Sequence, residues 1–310
     1  MLLTTRVKRA AKELLALRQW PRIESPFPKT YEEQIYACLV EVGDICLDVG
    51  ANVGAVALFL ARLCGSSGRV IAFEPVAPVY LELMRHIQQD GYRKAPIVTY
   101  PAGLSDVQET ATIQVPDSRY GLGSMASADS VSRVLPNAKV QSFEARFFTW
   151  DALVSRHEIP DVDFVKIDVE GAELLVLNGG RGVLESGKKP AMLIEIFAPW
   201  EHNFGYRPWD IFSLLMAFDY EFLFACPEGL IPHVPSQEQS FPPEYSGGYN
   251  VIAFVRPLHA NRIARLSMLY ADLKPHLLSM EPPPKPNSID YIDFPKPFFN
   301  RTASYRRELH

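Results

Sequence analysis

The run Asp44-Ile45-Cys46-Leu47-Asp48-Val49-Gly50-Ala51-Asn52-Val53-Gly54, continuing into Ala55-Val56-Ala57-Leu58-Phe59-Leu60, constrains the fold more than any other stretch of the chain. Ile45 to Val49 is short and mostly apolar, Gly50 to Gly54 is a turn of small residues, and Ala55 to Leu63 is helix-forming and apolar on most faces. Strand, tight turn and helix in this order make one unit of an α/β sheet. Glycine gives the turn its dihedrals and lets the backbone approach a ligand, while the helix start offers N–H groups that lack helical acceptors. A β-carbon at Gly50 or Gly54 is therefore expected to point at a ligand or to strain the turn. The plainer reading, glycines kept for packing, stays open.

The spacing narrows the ligand. A dinucleotide fingerprint needs G-x-G-x-x-G, but Asn52 stands at its second glycine and Ala55 at its third. Close approach of a pyrophosphate is thereby disfavoured. Enzymes that use S-adenosylmethionine hold a cofactor without phosphate, on an acidic residue followed by a looser glycine pattern, and Asp48 to Gly54 fits it. The strand Arg69 to Phe73 then ends in Glu74-Pro75, 20 residues after Gly54. There, α/β nucleoside sites put the acid that accepts from ribose hydroxyls; the alternative for Glu74 is a surface carboxylate at a strand end.

DVGANVG, AFEP, VDFVKIDVEGAELLVLNGG and MLIEIF together closely resemble the FkbM-type methyltransferases, over about residues 31 to 256. The VKIDVEGAE block is the most specific part. The resemblance implies a class I methyltransferase fold, Rossmann-like α/β, with a mostly parallel seven-stranded sheet and an antiparallel strand at its end. It implies S-adenosylmethionine as cofactor and O-methylation of a hydroxyl on a polyketide, sugar or other secondary metabolite. The cofactor contacts expected are Asp48, Gly50, Asn52, Gly54, Glu74, Pro75, Ser105, Asp106 and Asp168. Ser105 and Asp106 enter because the turn after the third strand flanks the adenine in such enzymes; a plain Asx turn is the alternative.

At 310 residues and a formal charge of −5, with charges dispersed, the chain has no basic face for a nucleic acid. Cys38, Cys46, Cys64 and Cys226 sit in or beside apolar runs without C-x-x-C spacing and read as reduced core residues. No apolar run reaches a membrane span and no signal segment is visible, so the expected location is cytoplasmic.

Three parts are expected: an extension over residues 1–29, a catalytic domain over 30–256, and a helix with a proline-rich arm over 257–310. Met1 to Trp20 reads as a basic amphipathic helix that packs on the domain edge or a second subunit, with membrane contact the lesser alternative. Tyr31 to Val42 is a helix leading into the first strand, Val79 to Gln89 a second helix and Pro96 to Leu104 a third strand. Thr110 to Val115 and Phe143 to Thr149 alternate as strands around a long small-residue loop, and a loop of that length is usually functional or disordered. Gly121 to Met125 within it resembles the family's segment near the substrate side. Val162 to Asp168 is a strand, Ala172 to Leu184 a helix and Ala191 to Phe197 a strand. Tyr220 to Cys226 and Tyr249 to Val255 form an antiparallel pair around an irregular, proline-rich excursion. Both extensions carry apolar side chains, from which a homo-oligomer is expected.

Methyl transfer to oxygen needs positioning and a base for the hydroxyl proton. Asp168, Glu170 and Glu173 crowd one strand end; if the chain stays extended, 168 and 170 share a face. Asp168, Glu170, Glu195, which interrupts an apolar strand, and His202 just beyond it are the expected residues around the acceptor, under the loop from Pro116 to Ser142. Glu173 fits better as an acid favouring the start of the next helix. The acids could hold a divalent metal, but no ligand motif is present and none is expected. The rival readings are an NAD-dependent oxidoreductase, disfavoured by Asn52, and a scaffold protein that keeps the fold without catalysis.

Overall fold

A computed structural model describes residues 31–91, 95–116, 123–127, 131, 139–226, 229–242 and 250–277. The basic helix expected over Met1 to Trp20, the proline-rich arm and most of the loop from 117 to 138 lie outside the described residues, and with them the segments behind the oligomer expectation.

The chain runs α1 (Tyr31–Leu39), β1 (Ile45–Val49), α2 (Ala55–Cys64), β2 (Arg69–Phe73), α3 (Ala77–Gln89) and β3 (Ile97–Tyr100). β4 (Gly103–Leu104), β5 (Glu109–Pro116), β6 (Val140–Phe148) and α4 (Trp150–Ser155) follow. The second half is β7 (Phe164–Ile167), α5 (Glu173–Asn178), α6 (Arg181–Glu185), β8 (Ala191–Glu195), α7 (Ala198–His202), α8 (Pro208–Met216), β9 (Glu221–Cys226), β10 (Gly229–Pro232), β11 (Asn250–Phe254) and α9 (Arg256–Leu277).

The main sheet has the order β10-β9-β11-β8-β7-β1-β2-β3. β3, β2, β1, β7 and β8 are parallel neighbours, whereas β11 runs against β8 and β9, and β10 against β9. The sheet thus carries one strand beyond the seven expected: β10 comes from the stretch read as irregular, where Leu230 and Ile231 pair with Ala225 and Phe224. The apolar runs of β1, β2, β7 and β8 are what a parallel sheet covered on both faces needs. Period-two alternation sends Leu47, Val49, Val165, Ile167, Met192 and Ile194 to one face, with α4, α5, α6 and α8. Cys46, Phe164, Ala191 and Leu193 go to the other, with α1, α2, α3 and Leu266 of α9. The start of α9 is therefore core, and the compact unit continues past residue 256.

Two expected elements divide differently. Pro96 to Leu104 is not one strand: β3 ends at Tyr100, the chain bends at Pro101, and Gly103–Leu104 joins a separate sheet of order β4-β6-β5. Ala172 to Leu184 splits into α5 and α6 at Gly179-Gly180, where a β-carbon would lie 2.0 Å from the Ser105 carbonyl oxygen or 2.6 Å from the Trp150 ring. The small sheet packs Ile113, Val115, Ala145 and Phe147 onto Val53, Val76 and Val79, just beyond the carboxyl ends of β1 and β2. No helix among the described residues is long and apolar enough to cross a membrane.

Candidate active site

Chain order reverses direction across the sheet between β1 and β7, so the loops leaving these two strands part and open a crevice at their carboxyl ends. The crevice encloses about 580 Å³, counting its open mouth. Gly50, Asn52, Glu74 and Pro75 line one side, Leu104, Ile113, Met125 and Phe147 of the small sheet and its loop form a wall, and Asp168, Val169 and Glu170 close the end.

Glu74 is buried and its two carboxylate oxygens are held by backbone donors, Asn52 N–H at 2.9 Å and Val76 N–H at 2.8 Å. Burial pushes its carboxyl up to about 7 against these two hydrogen bonds. Each oxygen keeps a further lone pair for a ligand donor. The turn spends its N–H groups internally: Gly50 and Ala51 donate to the Phe73 carbonyl and Gly54 to that of Ala51. It therefore does not make the cradle of free N–H groups that a phosphate needs. The glycines are also fixed by the protein itself. A β-carbon at Gly50, with φ +84°, would lie 1.8 Å from the Asp168 carbonyl oxygen, and one at Gly54, with φ +91°, 2.5 Å from Leu83. At both positions an added carbon would strain the turn, the second of the two expected outcomes, and Gly50 also lines the crevice. Asn52, at φ 49°, turns its side chain to the crevice, and its buried Oδ1 has no hydrogen-bond partner.

Behind this edge lies a buried string of charge. Asp48 on β1 is the register partner of Lys166 on β7, and Lys166 and Glu195 share its face of the sheet, with Asp168 just past the end of β7. The Lys166 ammonium sits 2.6 Å from Asp168 Oδ2. Burial pulls Lys166 down, but Asp168 and Glu195 outweigh it and raise it above its ordinary value. Burial pushes Asp168 up, yet Lys166 and a hydrogen bond from Glu195 hold it below the usual carboxylate range. Glu195 is pushed up to about 10 by burial and by the charge of Asp168, so it is the protonated partner and donates. Asp48 is raised to about 7, chiefly by burial, and its Oδ2 has no partner among the described residues.

The strand does not stay extended past Asp168. Glu170 adopts φ 52° and Gly171 φ 100°, a left-handed turn. Glu173 holds that turn from within, accepting from Val169 N–H and Gly171 N–H at 3.1 Å each, while the Tyr206 hydroxyl donates to the Gly171 carbonyl at 2.8 Å. Ser124 donates to the Glu170 carbonyl at 2.8 Å and exchanges backbone hydrogen bonds with Gln114, so the described part of the long loop is tied across the crevice. Burial and the neighbouring Asp168 and Glu173 raise the Glu170 carboxyl well above its ordinary value.

The structure thus gathers Gly50, Asn52, Glu74, Pro75, Asp168 and Glu170 at one crevice, with Asp48 and Glu195 behind it. It does not bring Ser105, Asp106 or His202 there. Because the chain bends at Pro101, Gly103 and Leu104 take the place expected for Ser105 and Asp106. Ser105 instead packs on Gly179 and donates to Asp106 at 3.2 Å. His202 is exposed on α7, whose buried side carries Glu201. Lys166 was not singled out from sequence, although a lysine inside a strand buried on both faces demands a partner, and Asp168 two residues on is the obvious one.

The chain matches the family described as Methyltransferase FkbM domain over residues 48–222. It is 30% identical over 182 residues to the hexuronic acid methyltransferase AglP of Haloferax volcanii, covering 56% of this chain and 62% of that protein. It is 30% identical over 164 residues to the AMB antimetabolite synthetase AmbE of Pseudomonas aeruginosa, covering 44% of this chain and 8% of that one. It thus spans less than two thirds of the length of either curated relative. Among solved structures, a methyltransferase FkbM from Methylobacillus flagellatus KT aligns at 16% identity and a TM-score of 0.40, covering 68% of this chain and 43% of that one.

Proposed function

The chain belongs to the Methyltransferase FkbM domain family, and we propose that it is an S-adenosylmethionine-dependent methyltransferase that transfers the methyl group to a hydroxyl oxygen of a small molecule, with sugars the first class to try. The observation that carries the reading is Glu74, a buried carboxylate held open by two backbone donors at the crevice where α/β folds bind nucleosides. The cofactor fits the residues present: Asn52 Oδ1 and Asp48 Oδ2 are buried polar atoms without partners, and a turn with its N–H groups engaged suits a ligand without phosphate. When bound, S-adenosylmethionine supplies an electrophilic methyl group on a sulfonium.

The chain's own residues then have distinct work. Glu74 accepts from ribose hydroxyls, and Leu104, Ile113, Met125 and Phe147 keep the adenine side dry. Asp168, ionised and 32% exposed, orients groups at the reactive end. Glu170 takes the hydroxyl proton. Burial and its acidic neighbours raise the Glu170 carboxyl, so its ionised form is the stronger base of the two, whereas Lys166 keeps Asp168 acidic. Glu195, already protonated, buttresses Asp168. The hexuronic acid activity of the Haloferax volcanii relative supports a sugar as acceptor.

Transfer of labelled methyl from S-adenosylmethionine to hexuronic acids, neutral sugars and hydroxylated polyketides, each beside its deoxy counterpart, tests this. Label should enter only hydroxyl-bearing acceptors, and Glu170→Gln should lower kcat by about 100- to 10,000-fold with cofactor affinity unchanged. Label on nitrogen or carbon, or transfer that ignores the missing hydroxyl, would overturn it.

A further inference from the structure

The turn that carries Asn52 is held from two sides. In front, the Asn52 N–H donates to Glu74 at 2.9 Å. Behind, the Val53 carbonyl oxygen lies 2.7 Å from Nδ1 of His86, a half-buried residue in the last turn of α3. The residues flanking this carbonyl, Asn52 at φ 49° and Gly54 at φ 91°, are both left-handed. For the non-glycine Asn52 that conformation is costly and persists only where its surroundings fix it.

α3 meets the turn along one stripe. Val79 shares a packed cluster with Val53, Leu83 stands 2.5 Å from where a β-carbon on Gly54 would lie, and His86 reaches the carbonyl. Steps of four and then three residues keep all of them on one helix face. The same helix begins beside Val76, whose N–H donates to Glu74 at 2.8 Å. One helix therefore fixes both the Glu74 carboxylate and the turn opposite it.

The partners of His86 decide which ring nitrogen carries the proton. A carbonyl only accepts, so Nδ1 holds the hydrogen. Arg85 Nη2 lies 2.8 Å from His86 Nε2, and a guanidinium only donates, so Nε2 is bare. Arg85 is aimed in turn by Glu82 Oε2, 2.7 Å from its Nε, and by Gln89 Oε1, 2.8 Å from its Nη1. A ring that merely fills space needs neither arrangement.

We propose that His86 is a positioning residue of the cofactor site. Its Nδ1–H pins the Val53 carbonyl and so keeps Asn52 in the left-handed conformation that turns its Oδ1 to the crevice, while Arg85 keeps the proton on Nδ1. The identity of the ligand rests on the cofactor reading above.

Side-chain geometry supplies the test. Asparagine can put an amide N–H where Nδ1 stands, glutamine reaches the place of Nε2, and leucine has no donor. In calorimetric titrations of the full chain, His86→Asn should bind S-adenosylhomocysteine within about twofold of the unaltered chain. His86→Gln and His86→Leu should bind it about 3- to 10-fold more weakly, the range for one lost hydrogen bond. Asparagine is the smallest of the three, so a space-filling role gives the reverse order; that order, or equal affinity in all three, would overturn the proposal. Nitrogen-15 NMR of the unaltered chain needs no variant to fold, and it should find the neutral His86 ring protonated on Nδ1. A proton on Nε2 would overturn the proposal as well. Failure of the unaltered chain to bind S-adenosylhomocysteine would instead sink the cofactor reading, and this proposal with it.

Discussion

Glu74→Gln separates what Glu74 does for the fold from what it does for the ligand. The carboxyl titrates near 7 rather than at its ordinary 4.5, because burial disfavours its charge more than the Val76 and Asn52 N–H groups favour it. A raised folded-state value means that stability from the neutral acid is fully present below about 4.5 and is lost as pH rises through about 7. The rise from 4.5 to about 7 corresponds to about 3 kcal/mol. Glutamine mimics the neutral acid at every pH, including its weakness: one of the two N–H donors then faces an NH2 group. The variant should therefore melt close to the unaltered chain at pH 4 and above it at pH 8.5, by roughly 5 to 10 °C for a domain of this size. Cofactor binding should move the other way. At pH 8.5 the variant has lost a charged acceptor for the ribose, and S-adenosylhomocysteine should bind about 10- to 100-fold more weakly; near pH 4 the two should converge. Thermal scans and calorimetry at both pH values read this out. A variant that melts lower at pH 8.5 yet binds as well as the unaltered chain would refute the reasoning.

Gly50→Ala should prevent folding or lower stability by more than about 4 kcal/mol, because the added carbon meets the Asp168 carbonyl at 1.8 Å with φ at +84°. Gly187→Ala, with nothing within 4 Å, should stay within about 0.5 kcal/mol, and denaturant melts of the pair check both. Lys166→Met should cost about 3–5 kcal/mol by leaving Asp168 uncompensated, and adding Asp168→Asn should recover part of that stability but not activity; a double-mutant cycle measures the coupling. Tyr206→Phe removes the donor to the Gly171 carbonyl and should cost about 1–3 kcal/mol while lowering turnover through a loosened Glu170 turn; melting and steady-state kinetics test it.

The sheet was legible because its strands carry their own signal: ICLDV, RVIAF and AMLIE can only be covered on both faces, and the glycine turn fixes where β1 hands over to α2. Glu74 was legible for the same reason, as a carboxylate ending an apolar strand. Long-range packing hid the rest. Nothing local marks Gly103–Leu104 as leaving the main sheet; that follows from β4 pairing with Phe147 and Phe148 of β6, more than 40 residues away. Gly179 and Gly180 break a helix that looks continuous in sequence because Ser105 and Trp150 press against them. His202 and Glu201 are neighbours in sequence, and only the packing of α7 decides that the glutamate is buried and the histidine exposed.

A crystal structure of the full chain with S-adenosylhomocysteine tests the cofactor site most directly. The account predicts ribose hydroxyls within hydrogen-bond distance of the Glu74 carboxylate, adenine against Gly103, Leu104 and Phe147, and the sulfur facing Asp168 and Glu170. A ligand bound with its ribose away from Glu74, or outside the crevice between β1 and β7, would contradict it.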